Sequence, residues 1–264
     1  MTGIRLRDVS VVFEKSGTKT HALDHIDLEL GSSEYVSIIG PNGAGKSTLV
    51  NTIAGSVQPS SGTVEIDDRD VTRVPDYKRA RWIARVFQDP TRGTCDGLTV
   101  MQNLALGMKR GQSRSSFVRA LGARDVEAAT ELLQDYGRGL EQKLNQDVTR
   151  LSGGQRQLVS MLMAIAGKPE ILLLDEHTSA LDPAMGEQLM SRTDEIVRAQ
   201  GLTTIMITHN MRLAAQFGDR LIVMSGGRIV DDIRGDERKS LTEDGLIERF
   251  RRIVSTDVTD RLVG

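Results

Sequence analysis

The chain has 264 residues, 39% hydrophobic and 27% charged, with a formal net charge of −2. That composition supports a packed core and excludes disorder, and the balanced charge excludes a strong field for nucleic acid or anionic lipid. The lone Cys95 excludes an internal disulfide and fits a reducing compartment.

Residues 4–13 set Ile4, Leu6, Val9, Val11 and Phe13 in loose alternation, the pattern of a strand. Residues 26–30 and 62–67 read the same way, with Ser60-Ser61-Gly62 as a turn. The apolar run Tyr35-Val36-Ser37-Ile38-Ile39 leads into Gly40-Pro41-Asn42-Gly43-Ala44-Gly45-Lys46-Ser47. This stretch satisfies G-x-x-x-x-G-K-[ST], the phosphate-binding loop, at every position. Thr48 to Ile53 are helix-compatible, so the motif has its strand–loop–helix context. Glycines let the backbone curl and aim N–H groups at phosphate oxygens, and the helix adds its positive end. Lys46 is suited to the β- and γ-phosphates of a nucleotide, and the Ser47 hydroxyl to Mg²⁺.

Trp82 to Phe87 is a short apolar segment ended by Gln88-Asp89-Pro90. Residues 98–140 read as helical, with breaks at Gly111-Gln112-Ser113 and Gly137 to Gly139, and Arg110 to Arg119 as a solvated turn and helix face. Gln157 to Ala166 is helical, but the apolar stretch Leu158 to Ala166 is far short of the roughly 20 residues that span a bilayer. With no apolar segment near Met1, the expectation is a protein soluble by itself, anchored at a membrane only through another chain. Ile171 to Leu174 is an apolar strand that ends in Asp175 and Glu176. Pro183 opens a helix to about Gln200, Thr203 to Thr208 is a strand, and residues 220–224 and 228–231 form a hairpin around Gly226-Gly227. Arg249, Arg251 and Arg252 read as a solvated face of a C-terminal helix. Strands alternating with helices around a phosphate loop give an α/β protein with a mainly parallel sheet.

In a P-loop NTPase the strand 171–174 is expected beside the P-loop strand. Asp175 then helps to hold Mg²⁺, and Glu176 polarises the attacking water. Leu151-Ser152-Gly153-Gly154-Gln155 adds a second Ser-Gly-Gly helix start of the anion-binding kind. With this segment the chain resembles the ATP-binding-cassette (ABC) family over nearly its whole length, with six motifs in family order. Gly40 to Ser47 resembles the Walker A loop, Gln88 the Q-loop, Leu151 to Gln155 the signature, and Ile171 to Glu176 Walker B. Ser179-Ala180-Leu181-Asp182 resembles the D-loop and His209 the H-loop.

The resemblance implies a P-loop NTPase (RecA-like) core with an antiparallel β subdomain and an inserted α-helical subdomain. The core would take about 1–88 and 168–235, the helical subdomain about 89–167 and a helical tail about 236–264, all one nucleotide-binding domain. It implies ATP and Mg²⁺ as cofactors, with Ser47, Gln88 and Asp175 toward the metal and Thr48 among the nucleotide-binding residues. Gln88 would touch metal or water, His209 the γ-phosphate, and the signature the γ-phosphate bound by a second copy in a head-to-tail dimer. Phe13 resembles the aromatic residue that stacks on adenine; a strand-end core residue is the other reading. The implied partners are membrane permease subunits and, indirectly, an extracytoplasmic substrate-binding protein, with no nucleic acid. The place is then peripheral, on the cytoplasmic side of the cell membrane. Leu98 to Leu106 resembles the segment bordering the permease docking groove, with Met101 among its exposed positions. Two departures stand out: His177 in the usual place of proline, and a signature helix, Arg156 to Ala164, without the usual second arginine. With Phe87-Gln88-Asp89-Pro90, Gly93-Thr94 and Thr208-His209-Asn210-Met211, the chain resembles a bacterial subgroup of importer ATPases encoded with a membrane permease and a binding protein of the tryptophan/tyrosine type; a structural role for His177 is favoured over a chemical one. The other reading is a non-transport ABC ATPase of a soluble assembly or repair complex. A long coiled-coil insert, a second cassette, zinc-type cysteine spacing and a basic stripe would mark it, and the chain has none of them. A nucleotide-gated module without turnover is disfavoured by Asp175, Glu176 and His209.

Overall fold

A computed structural model describes residues 2–110, 122–136, 139–179 and 181–263. They form two compact units, Met1–Asp76 with Thr203–Gly264, and Tyr77–Leu202.

In the first unit, β1 (Thr2–Lys15), β2 (Thr18–Gly31), β4 (Ser61–Ile66) and β5 (Arg69–Asp70) form an antiparallel sheet in the order β2-β1-β4-β5. The loose alternation of residues 4–13 has a physical cause. Ile4, Leu6, Val9 and Val11 are all buried although their parity changes between 6 and 9. Asp8 lies in the left-handed region at φ 50°, and the β1–β2 register shifts between Leu6 and Val9. On β2, His25 has φ 50° as well, and its Nδ1 sits 2.5 Å from Asp8 Oδ1, so the two bulge residues face each other. Its hydrogen bond to the Asp8 carboxylate, which accepts from the ring, raises the His25 pKa.

β2 extends well before residue 26 because its first residues, Thr18 to His21, pair with β1 while staying polar and exposed, a stretch with no apolar period to read. Ser61 and Gly62 belong to β4 and not to a turn. Gly62, at φ 83°, sits at the β1–β4 register shift between Arg7 and Ser10, where a Cβ would be 2.5 Å from Arg7 O.

The same unit carries β3 (Tyr35–Ile39), α1 (Lys46–Ala54), β8 (Thr203–Ile207), α7 (Met211–Gln216), β9 (Arg220–Ser225) and β10 (Arg228–Ile233), followed by α8 (Gly235–Lys239) and α9 (Glu243–Val263). β3 is fully buried and runs parallel to β8 on one edge and to β9 on the other. Both edges of β3 are therefore taken, which corrects the expected pairing of strand 171–174 with it. Ile39, Ala214, Leu221, Val223, Ile233 and Leu246 form a buried cluster, with Phe250 and Ile253 packed against it. Arg249 is not simply solvated: it pairs with Asp231 and Glu237.

The second unit contains α2 (Asp76–Arg79, from its second residue), β6 (Ile83–Val86), α3 (Val100–Met108), α4 (Ala123–Tyr136), α5 (Gly153–Ala166), β7 (Ile171–Asp175) and α6 (Pro183–Gln200). β6 and β7 are parallel. The helical stretch expected over 98–140 is thus α3 and α4. Of its two breaks, residues 111–113 and 137–138 lie outside the described residues, as do 111–119 of the charged stretch. Arg110 is no solvated face: burial lowers its pKa to about 10, and its Nη2 donates to Ala164 O at 2.6 Å at the end of α5. Met101 is 8% exposed, so it faces the core of α3 and offers no docking surface. Asn103, fully buried, accepts from Cys95 N at 2.7 Å and donates to Thr99 O at 3.0 Å, tying the loop before α3 to the helix. Among the described residues no helix is long and apolar enough to cross a membrane.

Candidate functional site

In the first unit the P-loop leaves the buried strand β3 and turns into α1. Gly43 and Gly45 have φ 80° and 98°. At Gly45 a Cβ would lie 2.5 Å from Ala22 O, and at Gly40 one would collide with Met224 O. Glycine is needed here for conformation and for room. Gly45 is the N-cap of α1, and no side chain caps the first turn. The N–H groups of that turn carry the positive end of the helix dipole. Ala44 O accepts from Gly227 N at 3.1 Å and Gly227 O accepts from Asp24 N at 2.9 Å, so the β9–β10 turn braces the loop from behind. Sequence reasoning saw Gly226-Gly227 only as a hairpin turn; this second duty depends on tertiary placement.

The P-loop residues Pro41, Asn42, Ser47 and Thr48 are exposed or half-buried, whereas Ala44 and Lys46 are buried. Lys46 Nζ donates to Gly40 O at 2.7 Å and Pro41 O at 3.0 Å, folded over its own loop. His209 is exposed two residues past the end of β8, the strand that pairs with β3. Both therefore lie at the carboxyl ends of neighbouring parallel strands, the edge where open α/β sheets bind ligands. Asn210 caps α7 by accepting from Leu213 N at 3.1 Å, which fixes the turn that holds His209. Phe13, on β1, is 47% exposed and so is no core residue.

In the second unit, Gln88 is exposed just after β6. Asp89 starts a 3-10 turn over Pro90–Arg92 by accepting from Thr91 N, and that hydrogen bond lowers its pKa. The signature lies at the start of α5. Ser152 and Gln155 form a reciprocal capping box with both bonds at 3.4 Å, and Lys143 Nζ donates to Gln155 Oε1 at 2.9 Å. Leu151 is half-buried, Ser152 and Gly153 are exposed, and Gly154 packs on Met185. The structure brings the signature helix to the Gln88 segment. Gln157 Nε2 donates to Phe87 O at 2.9 Å, Arg156 Nε donates to Thr94 Oγ1 at 2.8 Å, and Arg156 also pairs with Asp96. Neither Arg156 nor Gln157 was singled out from sequence, where they read as ordinary helix residues.

β7 is buried until Asp175, which is half-buried and accepts from Arg85 Nη2 at 2.5 Å. The chain then leaves the strand through Glu176 at φ 47°, a left-handed conformation unusual for a side chain of this kind. His177 is 2% exposed, with Nε2 3.4 Å from Thr193 Oγ1 on α6. Burial pushes its pKa down to about 4, so the imidazole is neutral at neutral pH. Asp182 caps α6 by accepting from Met185 N at 3.0 Å, with Pro183 in the first helical position. Ala180, between Ser179 and Leu181, lies outside the described residues.

A protein-family model described as ABC transporter matches residues 23–179. A tyrosine transport ATP-binding protein of Clostridioides difficile is 38% identical, covering 95% of this chain and 100% of that protein. The methionine import ATP-binding protein MetN of Histophilus somni is 34% identical over 86% of this chain; the match spans 64% of that longer relative. Among solved structures, a dimeric ATP-binding cassette in a post-hydrolysis state with ADP and Pi is 30% identical at TM-score 0.74, covering 88% of this chain and 98% of that one. The ADP conformation of a cassette from an ABC transporter superposes at TM-score 0.78 with 27% identity, over 95% and 98% of the two chains.

Proposed function

This chain belongs to the ABC transporter family and is an ATPase, and from that premise we propose which residues divide the reaction and which class of solute its transporter carries. The cargo is a small solute of amino-acid type, imported through a separate permease that receives it from an extracytoplasmic binding protein. Support comes from the tyrosine transport relative, matched from end to end, and from the methionine import relative. The subunit sits peripherally at the cytoplasmic face, held by the permease, as one nucleotide-binding domain whose residues 89–167 are its helical part.

The P-loop, Gly40 to Thr48, binds the triphosphate through backbone N–H groups and the start of α1, and Lys46 swings from its carbonyls to the β- and γ-phosphates. Phe13 stacks on adenine. Ser47, Gln88 and Asp175 would hold Mg²⁺. The donor set fits that ion: all are hard oxygen ligands, and the Arg85 contact shows that the Asp175 carboxylate already accepts a cation. Among the described residues no group of three or more His, Cys, Asp or Glu could hold a metal. Phosphate oxygens and water would complete its shell, as Mg²⁺ prefers. When bound, the ion supplies charge neutralisation at the phosphates. Glu176 orients or deprotonates the attacking water, Gln88 helps to place it, and His209 stabilises the γ-phosphate. Leu151 to Gln155 contacts nucleotide held by a second copy, and Asp182 lies at that dimer contact. The dimeric cassettes among the similar structures support the two-copy arrangement.

The observation that carries this reading is the intact acid pair Asp175–Glu176 closing a buried strand, in a chain that matches a transport ATPase over 95% of its length. The test is Glu176→Gln, which keeps shape but removes the base. ATP binding should persist, phosphate release should fall by on the order of 100-fold or more, and an ATP-bound dimer should accumulate in chromatography. Hydrolysis near the unaltered rate would sink the assignment.

A further inference from the structure

The contact on Asp175 is made by a residue that neither the motifs nor the reaction accounts for. Arg85 lies on β6, in register with Leu173 of β7, and its Nη2 reaches across to Asp175 Oδ2 at 2.5 Å. Both side chains are largely shielded, 16% exposed for Arg85 and 19% for Asp175. The guanidinium is also in place over the Phe87 ring, 4.7 Å from its centre, and Arg92 lies over the same ring at 4.5 Å. One side chain thus bridges the carboxylate read as the metal ligand and the aromatic residue just before Gln88.

A lone pair on Asp175 Oδ2 that accepts from Arg85 is not available to a metal ion. A fixed positive charge at that distance also repels a dication. The cost of loading the metal therefore includes breaking a short, shielded, charge-assisted hydrogen bond. Phe87 limits that cost, because the guanidinium keeps a cation–π partner when it lets go of the carboxylate. We propose that Arg85 is a placeholder cation on Asp175. It positions the carboxylate, competes with Mg²⁺ for it, and so sets the Mg²⁺ concentration at which nucleotide is taken up in its metal complex. Arg85 acts through Asp175 and is a positioning residue.

This inference rests on the reading of Asp175 as a metal ligand, and the experiment separates the two. Binding of a fluorescent ATP analogue is titrated with Mg²⁺, and measured without Mg²⁺ in chelator, for the unaltered chain, Arg85→Met, Arg85→Lys and Asp175→Asn. With the competitor removed, Arg85→Met should lower the half-saturating Mg²⁺ concentration about tenfold, equivalent to about 1.4 kcal/mol, while metal-free binding through the P-loop stays unchanged. Arg85→Lys keeps the charge but loses the planar fork, and should give a smaller shift in the same direction. A half-point unchanged or raised in Arg85→Met, with metal-free binding intact, overturns the proposal. If Arg85→Met loses metal-free binding, it has lost its fold, and Arg85→Lys decides alone: no downward shift there overturns the proposal. Asp175→Asn should raise the half-saturating Mg²⁺ concentration, since Ser47, Gln88 and the phosphates remain to hold the ion. If it does not, the metal-ligand reading of Asp175 fails, whatever the Arg85 variants do.

Discussion

Two helices of this chain begin with the same sequence idea, small residues ahead of a helix, and solve it in opposite ways. At α1 the N-cap is Gly45, left-handed at φ 98°, and no side chain caps the first turn. At α5 the N-cap is Ser152, in an extended conformation and locked into a capping box with Gln155. α1 is held by what surrounds it: a buried strand before it, Ala22 against Gly45, and the Gly227 turn behind. α5 closes its own end, and its box bonds, at 3.4 Å, are long enough to be redirected cheaply. A prebuilt backbone cradle suits a ligand that each copy binds for itself. A self-satisfied helix start suits a ligand that arrives only with a partner, because it needs nothing until then.

Substitution should separate the two ends. Gly45→Ala forces an L-residue into the left-handed region, about 1–2 kcal/mol for the backbone alone. It also brings a methyl group to 2.5 Å from Ala22 O. ATP affinity measured by calorimetry should fall by on the order of 100-fold. Phe13→Ala should weaken ATP roughly 5- to 100-fold by loss of stacking, with Phe13→Tyr nearly neutral; an unchanged affinity would remove Phe13 from the site. Ser152→Ala should leave the affinity of one copy for ATP as it was. Loss of the cap should cost about 1 kcal/mol in thermal or denaturant unfolding, and dimer formation by the Glu176→Gln form should weaken. A drop in single-copy ATP affinity instead would mean that the two helix starts are not divided as proposed.

The smallest expected effect is a difference in acid response between the units. His177, in the second unit, is held neutral with a folded pKa of about 4 against an ordinary value of 6.5. Below pH 6.5 the unfolded chain binds the proton more readily, so this contribution is complete above pH 6.5 and fades toward pH 4. In the first unit the Asp232 pKa is also lowered, but for the opposite reason, because its charged form is the one favoured. Burial opposes ionisation, but hydrogen bonds from Arg220 and Arg234 outweigh it and lower the pKa from 3.8 to about 2. Its contribution is present above pH 3.8 and fades only as the pH falls toward 2. His177→Gln should therefore flatten the stability profile between about pH 6.5 and 4 and leave the more acidic limb in place; an unaltered slope would count against a buried neutral imidazole.

The motifs were legible because their chemistry is local. A P-loop needs glycines at set intervals, a signature needs Ser-Gly-Gly at a helix start, and an apolar strand ending in Asp175-Glu176 announces itself over six residues. Even the bulge at Asp8 left a trace, the parity change between Leu6 and Val9. Other features could not be read, since they join residues far apart in the chain. The polar start of β2 is a strand only because β1 pairs with it. Met101 and Arg110 look exposed in sequence, one in an amphipathic run and one in a charged run, yet Met101 is buried and Arg110 half-buried.

What the sequence determined by itself was the set of groups proposed for the site and their order: Lys46, Gln88, Ser152, Asp175, Glu176 and His209, each beside a short apolar or glycine-marked segment. Tertiary structure alone decided which strands flank β3, which turn braces the P-loop, and which cation rests on Asp175. The physical reason is range. Backbone conformation and helix capping are set within a few residues, whereas strand order, burial of an arginine and the partner of a carboxylate depend on chain closure over tens to hundreds of positions.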